Sequence, residues 1–199
     1  MVEMLGVLAI IGVLSVGAIA GYSKAMMKYK LNKQTEQISW LFNVIYRYKS
    51  AFGANPQFMD LMPTLIKLGE IPQEMIKIQS SPILDIFNSR VYIYTNNCHS
   101  GKCSEITFMY NIAPTEPFAI CQNIFNIAKE FHADIARSGV YKYNNDGTPT
   151  SYGNDFFGDN YCAEKNCLKN ITQEQIYTQC QYCDTYEQTC RLFFNFTIK

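Results

Sequence analysis

The first 52 residues contain neither cysteine nor proline, and the 199-residue chain has only two histidines and one tryptophan. It has no excess of charge either: 17 Lys and Arg face 17 Asp and Glu. Such a balance lacks the basic surface expected of a dedicated nucleic-acid binder. Ser, His and Asp are scattered, with no nucleophile elbow and no HExxH pair, so catalysis has no support and no cofactor is implied. What the chain does hold is 48% hydrophobic and 14% aromatic residues. That is enough for one packed domain with some excess, and it excludes global disorder.

The residues are unevenly placed. Residues 1–52 carry Lys24, Lys28, Lys30, Lys33, Arg47 and Lys49 against Glu3 and Glu36, a net +4. The remainder is net −4 and holds all seven prolines and all eight cysteines. The division expected is 1–23 as a hydrophobic segment, 24–52 as a stem, and 53–199 as a globular, disulfide-containing head. So many cysteines in a small chain point to an oxidising compartment.

Met4 to Ser23 is an uncharged run, MLGVLAIIGVLSVGAIAGYS. Twenty residues at helical rise span roughly 30 Å, the thickness of a hydrocarbon core. A signal peptide would start basic and end at a small-residue cleavage site. Here nothing basic precedes the run and the helical pattern continues past its end, so it reads as a membrane segment rather than a buried core helix. Leu31, Ile38, Leu41, Phe42, Ile45, Tyr48 and Phe52 then recur at helical spacing, and no Pro or Gly interrupts Tyr22 through Phe52. One helix of about 50 residues follows, first apolar all round and then amphipathic. It is either a bare stalk or a stem whose apolar stripe packs on the head. Glu3, a carboxylate at the edge of an apolar segment, is either functional or snorkels to the interface.

VEMLGVLAIIGVLSVGAIAGYSKAM resembles the mature N-terminus of type IV pilins and type II secretion pseudopilins, over about the first thirty residues. The family's basic leader is absent, so the sequence is expected to begin at or after the cleavage site. The resemblance implies that Glu3 pairs with the N-terminal amine of a neighbouring subunit in a helical filament. A carboxylate among apolar helices must find a cation or take up a proton. Gly17 and Gly21 stand where many pilins have a proline. They either let the helix unwind locally or form a close-packing Gly-x-x-x-Gly face. The lysines after the run would place the head in the cytoplasm, but the cysteines argue for the opposite side and decide the expectation.

In the head, Asn55-Pro56 opens a predicted short helix through Leu68. Arg90–Thr95 and Ser104–Ile112 alternate as an antiparallel pair around NNCHSGKCS, which sets Cys98 and Cys103 across a turn. Glu116–Phe131 is a predicted helix, Gly139–Tyr152 reads as turn-rich, and Thr172-Gln173-Glu174-Gln175 resembles a capping box for a helix to about Gln181. Thr189–Lys199 is a predicted terminal strand. The fold class expected is α+β: a long N-terminal helix, anchor plus amphipathic stem, packed on a small antiparallel sheet with short helices and disulfides.

LIKLGEIPQEM, the hairpin and APTEPFAICQNIF are similar to the type IVb pilin head. That likeness implies that Cys121 is linked to a cysteine shortly before the final strand. Eight cysteines allow 105 pairings. The short-range candidates are Cys98–Cys103, Cys162–Cys167 and Cys183–Cys190, with Cys121–Cys180 as the long link. Cys180-Gln-Tyr-Cys183 has redox-motif spacing but no βαβ context. Cys98-His99 lacks a second knuckle for zinc. Asp146, Asn154, Asp155, Asp159 and Asn160 offer oxygen ligands for calcium, which some pseudopilins bind, yet the spacing is not that of an EF-hand and a solvated loop is preferred. Asn170-Ile-Thr172 and Asn195-Phe-Thr197 are acceptor sequons.

The expectation is a non-enzymatic structural subunit of a pilus-like or pseudopilus filament. Its partners would be copies of itself, other pilins, an inner-membrane assembly machinery, and the lipid bilayer before assembly. Its head would be extracytoplasmic, first at the bacterial inner membrane and then in a surface or periplasmic filament. The alternatives are a membrane-anchored binding module that never polymerises and an anchored thiol oxidoreductase.

Overall fold

A computed structural model describes residues 2–52, 57–77, 81–99, 102–144, 148–163, 166–183 and 189–198. It also describes the surroundings of their side chains, except at 2–17, 102, 149, 151, 152 and 189. One helix, α1, runs unbroken over Val2–Phe52, 51 residues. Its C-terminal half lies on an antiparallel sheet of seven strands. These are β1 (Ile83–Leu84), β2 (Arg90–His99), β3 (Lys102–Asn111), β4 (Ile135–Tyr143), β5 (Pro149–Tyr152), β6 (Phe156–Phe157) and β7 (Thr189–Thr197). The order across the sheet is β1-β2-β3-β7-β4-β5, with β6 pairing beside β4. The last strand of the chain is therefore central. The architecture is α+β, a long helix packed on an antiparallel sheet and stapled by disulfides.

Period-two alternation explains which face the sheet buries. Val91 and Ile93 of β2, Ile106, Phe108 and Tyr110 of β3, and Leu192, Phe194 and Phe196 of β7 are all buried. On α1 the residues facing them are Ile38, Leu41, Phe42 and Ile45, at helical spacing. The Phe42 ring sits at the centre, 5.0 Å from Phe108, 5.2 Å from Phe131 and from Phe196, and 5.6 Å from Phe194. Helix α3 (Pro117–Glu130) flanks α1 and buries Ile120, Ile124, Phe125 and Ile127. Helix α4 (Gln173–Gln181) opens on a full capping box: the Thr172 hydroxyl accepts from Gln175 N, and the Gln175 side chain accepts from Thr172 N.

Four disulfides join Cys98 to Cys103, Cys121 to Cys180, Cys162 to Cys167 and Cys183 to Cys190. The first closes the β2–β3 hairpin, where the two residues are direct register partners. The second ties α3 to α4.

Two segments depart from the sequence reading. The helix expected from Asn55-Pro56 is only Met62–Lys67, here α2, with Pro63 in its first turn. The segment 57–61 is not helical and runs along the edge of β2 instead, with an isolated bridge from Asp60 to Tyr94: Leu61 N donates to Ile93 O at 2.9 Å and Thr95 N to Met59 O at 3.0 Å. An exposed sheet edge offers unpaired backbone groups, and pairing them outweighs local helix propensity here. The second departure is residues 135–152, read as turn-rich from Gly139 onward. They form β4 and β5, a hairpin joined to β7. Gly139 is there for room: a Cβ at that position would lie 2.8 Å from Phe193 Cε1 and 2.9 Å from Asp155 Oδ1.

Candidate assembly site

Along α1 the surroundings change in one direction. Ala18 through Ala25 are exposed, with Ile19 66% and Tyr22 67% accessible. Met27 and Leu31 are the first side chains to touch the core, and from Gln34 onward one face is fully buried. Tyr29, Trp40 and Tyr46 remain exposed on the other faces. Gly21 lies in the exposed stretch, where an added Cβ would meet nothing within 4 Å. Glu3 and Gly17 lie on α1, but their side-chain surroundings fall outside the described residues. Most of the Met4–Ser23 run does too. Among the described residues no helix is long and apolar enough to cross a membrane.

Where the helix enters the head, a buried polar joint fixes its register. The Asp85 carboxylate, in the turn between β1 and β2, accepts from Phe87 N and Ser89 N, both at 2.9 Å. It also accepts from Gln34 Nε2 of α1 at 3.0 Å, and from the Tyr110 hydroxyl of β3. Gln34 Oε1 in turn accepts from Asn123 Nδ2 of α3 at 2.9 Å. Three elements and a turn thus meet at one amide. Burial pushes the Asp85 carboxyl above its ordinary range, with the four donors pulling the other way. Tyr110, deeper still, is raised far enough to stay a neutral donor. Three residues along α1, Gln37 Oε1 accepts from Ile86 N at 3.0 Å.

A second tie lies nearer the solvent. Glu70 accepts from Arg47 at 2.6 Å and from the Tyr48 hydroxyl at 2.6 Å, and its carbonyl takes Trp40 Nε1–H at 2.7 Å. Lys49 reaches Asp134 at 3.1 Å. Trp40, Glu70, Lys33 and Glu74 border an open groove of about 370 Å³.

Among the described oxygen ligands weighed for calcium, three are engaged by other side chains. Asp155 is held by Arg137 at 2.6 Å and Asp159 by His132 at 2.8 Å. The backbone of Asn154 is clamped by the Gln179 amide, and Asp146 lies outside the described residues. No group of three or more His, Cys, Asp or Glu is placed to hold a metal among the described residues. Cys180 and Cys183 are each bonded to a different partner, Cys121 and Cys190, and among the described residues no cysteine is free. Asn195 is buried in β7, bonded to Thr107 and Glu105, whereas Asn170 is exposed.

Sequence reasoning missed the joint. Gln34 and Gln37 passed as the polar face of an amphipathic helix, although Gln34 falls three and four residues from Leu31 and Ile38 on the apolar stripe. A glutamine at a stripe position was the available signal. Asp85, in a segment with no periodic pattern, gave none. Comparison with protein-family models and with curated proteins finds no match.

Proposed function

We propose that this chain is the structural subunit of a type IV pilus-like or pseudopilus filament, held in a bilayer by its apolar N-terminal run before assembly and polymerising through that helix. The observation that carries the proposal is the gradient along α1. One unbroken helix spends its second half as part of the head core, while residues 18–25 are exposed. Isolated helices owe most of their stability to packing, so an exposed stretch at 18–25 that continues an uncharged apolar run calls for a bilayer or neighbouring helices to cover it. The disulfides suit a head on the oxidising side of the membrane. The joint at Gln34 and Asp85 would hold helix and head in one orientation, which a helical array of identical subunits requires.

Substitution of Glu3 tests the proposal in cells that produce the chain. Glu3→Gln keeps size and removes charge, and Glu3→Leu removes both. Neither touches the head, so membrane insertion and disulfide formation are expected at parental level. Incorporation into sheared filaments is expected to be lost or nearly so, because an anchor packed among others no longer has its charged determinant. Parental assembly by Glu3→Leu would instead favour a membrane-anchored binding module.

A further inference from the structure

The basic residues of α1 fall into two groups. Those beside the head each have a carboxylate: Lys33 meets Glu36 at 3.0 Å and Glu74 at 3.1 Å, Arg47 meets Glu70 at 2.6 Å, and Lys49 meets Asp134 at 3.1 Å. Lys24, Lys28 and Lys30 form no ion pair among the described residues. Lys24 and Lys28 are exposed, and Lys30 is half-buried with its ammonium 5.8 Å from the centre of the Phe87 ring. Two exposed tyrosines are interleaved with them, Tyr22 and Tyr29, at 67% and 59% accessible. Lys24 follows directly on the uncharged run that ends at Ser23. At helical rise Lys28 lies about 6 Å and Lys30 about 9 Å beyond Lys24. Lys24 and Lys28 share one flank while Lys30 takes another, so the three charges form a collar just past the end of the run.

We infer that this collar binds the headgroups of anionic phospholipids in the leaflet on the head's side of the bilayer. The inference rests on the membrane reading above. A run that ends at Ser23 sets the next two turns at headgroup depth, where lysines reach lipid phosphates and tyrosine rings sit between acyl chains and water. A lysine gains attraction there from an anionic surface that a zwitterionic surface, with no net charge, does not supply. The acidic balance of the head does not cancel it, because screening limits charge interactions to about 8 Å at physiological ionic strength. Glu36, the first carboxylate of α1 after Lys24, lies about 18 Å along the helix and is held by Lys33. Asp85, two residues from Phe87, is buried and accepts four hydrogen bonds. Glu116 is an exposed carboxylate at this end: Asn123 of α3 donates to Leu31 O, and Glu116 caps α3 seven residues earlier. Three cations against that one carboxylate leave the collar net positive. The collar also accounts for lysines that, with the head on the oxidising side, lie where the positive-inside rule sets fewest.

The test is electron paramagnetic resonance of the full chain in phosphatidylcholine bilayers at high lipid excess, with a trace of spin-labelled phosphatidylglycerol or spin-labelled phosphatidylcholine. The fraction of label slowed by the protein gives the relative association of the two lipids. Phosphatidylglycerol is expected to be favoured about fivefold, the factor that one lysine near an anionic surface supplies. The preference should fall toward one in roughly 1 M salt. A triple variant, Lys24→Gln with Lys28→Gln and Lys30→Gln, should associate with both lipids alike. Lys67→Gln is the control: Lys67 is exposed, three residues before the Glu70 that pairs with Arg47, and Arg47 lies about 35 Å along α1 from Lys24. It should behave as the parent does. Circular dichroism and non-reducing electrophoresis establish that each variant is folded, and flotation with the vesicles establishes that it is anchored. A parent chain that does not float overturns the membrane reading and this inference with it. A chain that floats yet associates equally with the two lipids, as it would if the lysines met carboxylates of a second copy, overturns the inference alone. So does a folded triple variant that keeps the parent's preference.

Discussion

Between Ala18 and Ala25 every residue of α1 is exposed, while between Gln34 and Phe52 the same helix buries Ile38, Leu41, Phe42, Val44 and Ile45 completely or nearly so. Both stretches carry apolar side chains, and only the second is covered by its own chain. The packed half has its partners inside the fold, on two strands and a helix. The stretch 18–25 has the same helical backbone, and its side chains lie open rather than packed on the head. Helix content therefore says little about what holds a helix; the difference lies in what its side chains touch.

The largest effect that could break this contrast is at Phe42. Phe42→Ala removes a fully buried ring that touches four other rings, and core truncations of this kind cost about 3–5 kcal/mol. Urea denaturation of the detergent-held chain, followed by fluorescence of the single tryptophan, measures it. Tyr22→Ala in the bare half is the paired control and should stay within about 0.5 kcal/mol. Equal losses at the two positions would mean that the halves are not held differently.

Asp85 sharpens the comparison at the point where packing begins. Asp85→Asn leaves two of the four donors without a carboxylate oxygen, at a cost of about 1–3 kcal/mol. The pH dependence is the more telling readout. Burial raises this carboxyl in the folded chain, so the folded state takes up a proton more readily than the unfolded one. Its contribution to stability then grows as pH falls from neutral through the raised value, is complete below the ordinary aspartate range, and is lost as pH rises again. Asparagine does not titrate. The gap between parent and variant should therefore widen on acidification. A gap that narrows would show the four donors outweighing burial.

Much of the packed half was legible in the sequence, because Ile38, Phe42 and Ile45 repeat at helical spacing and the strands of the first hairpin alternate strictly. The short-range disulfides join cysteines five to seven residues apart, a spacing visible without a fold. The joint was not legible. It needs Gln34, Asp85, Tyr110 and Asn123, four residues spread over 89 positions, and no local pattern marks a contact made only by tertiary packing. The second hairpin failed for a different reason. Gly139 opens a stretch, Gly139–Tyr152, that reads as turn-rich when taken alone, yet the glycine answers to Phe193, more than fifty residues away.

The smallest expected effect separates ties at the surface from packing in the core. Arg47 meets Glu70 at 2.6 Å, but the arginine side chain is 50% exposed and Glu70 keeps a second partner in Tyr48. Arg47 also stacks at 5.6 Å on Trp40. Exposed ion pairs contribute about 0.2–1 kcal/mol, because water screens the charges and two long side chains lose freedom. Arg47→Gln is thus expected to lower stability by less than about 1 kcal/mol, a difference that shrinks in roughly 1 M salt as screening shortens to about 3 Å. Phe42→Ala should lose as much in high salt as in low, since burial of an apolar ring does not depend on charge. If the Arg47 loss matched the Phe42 loss and resisted salt, the stem would be held by its polar rim, and the apolar stripe would be filling space that charge had already defined.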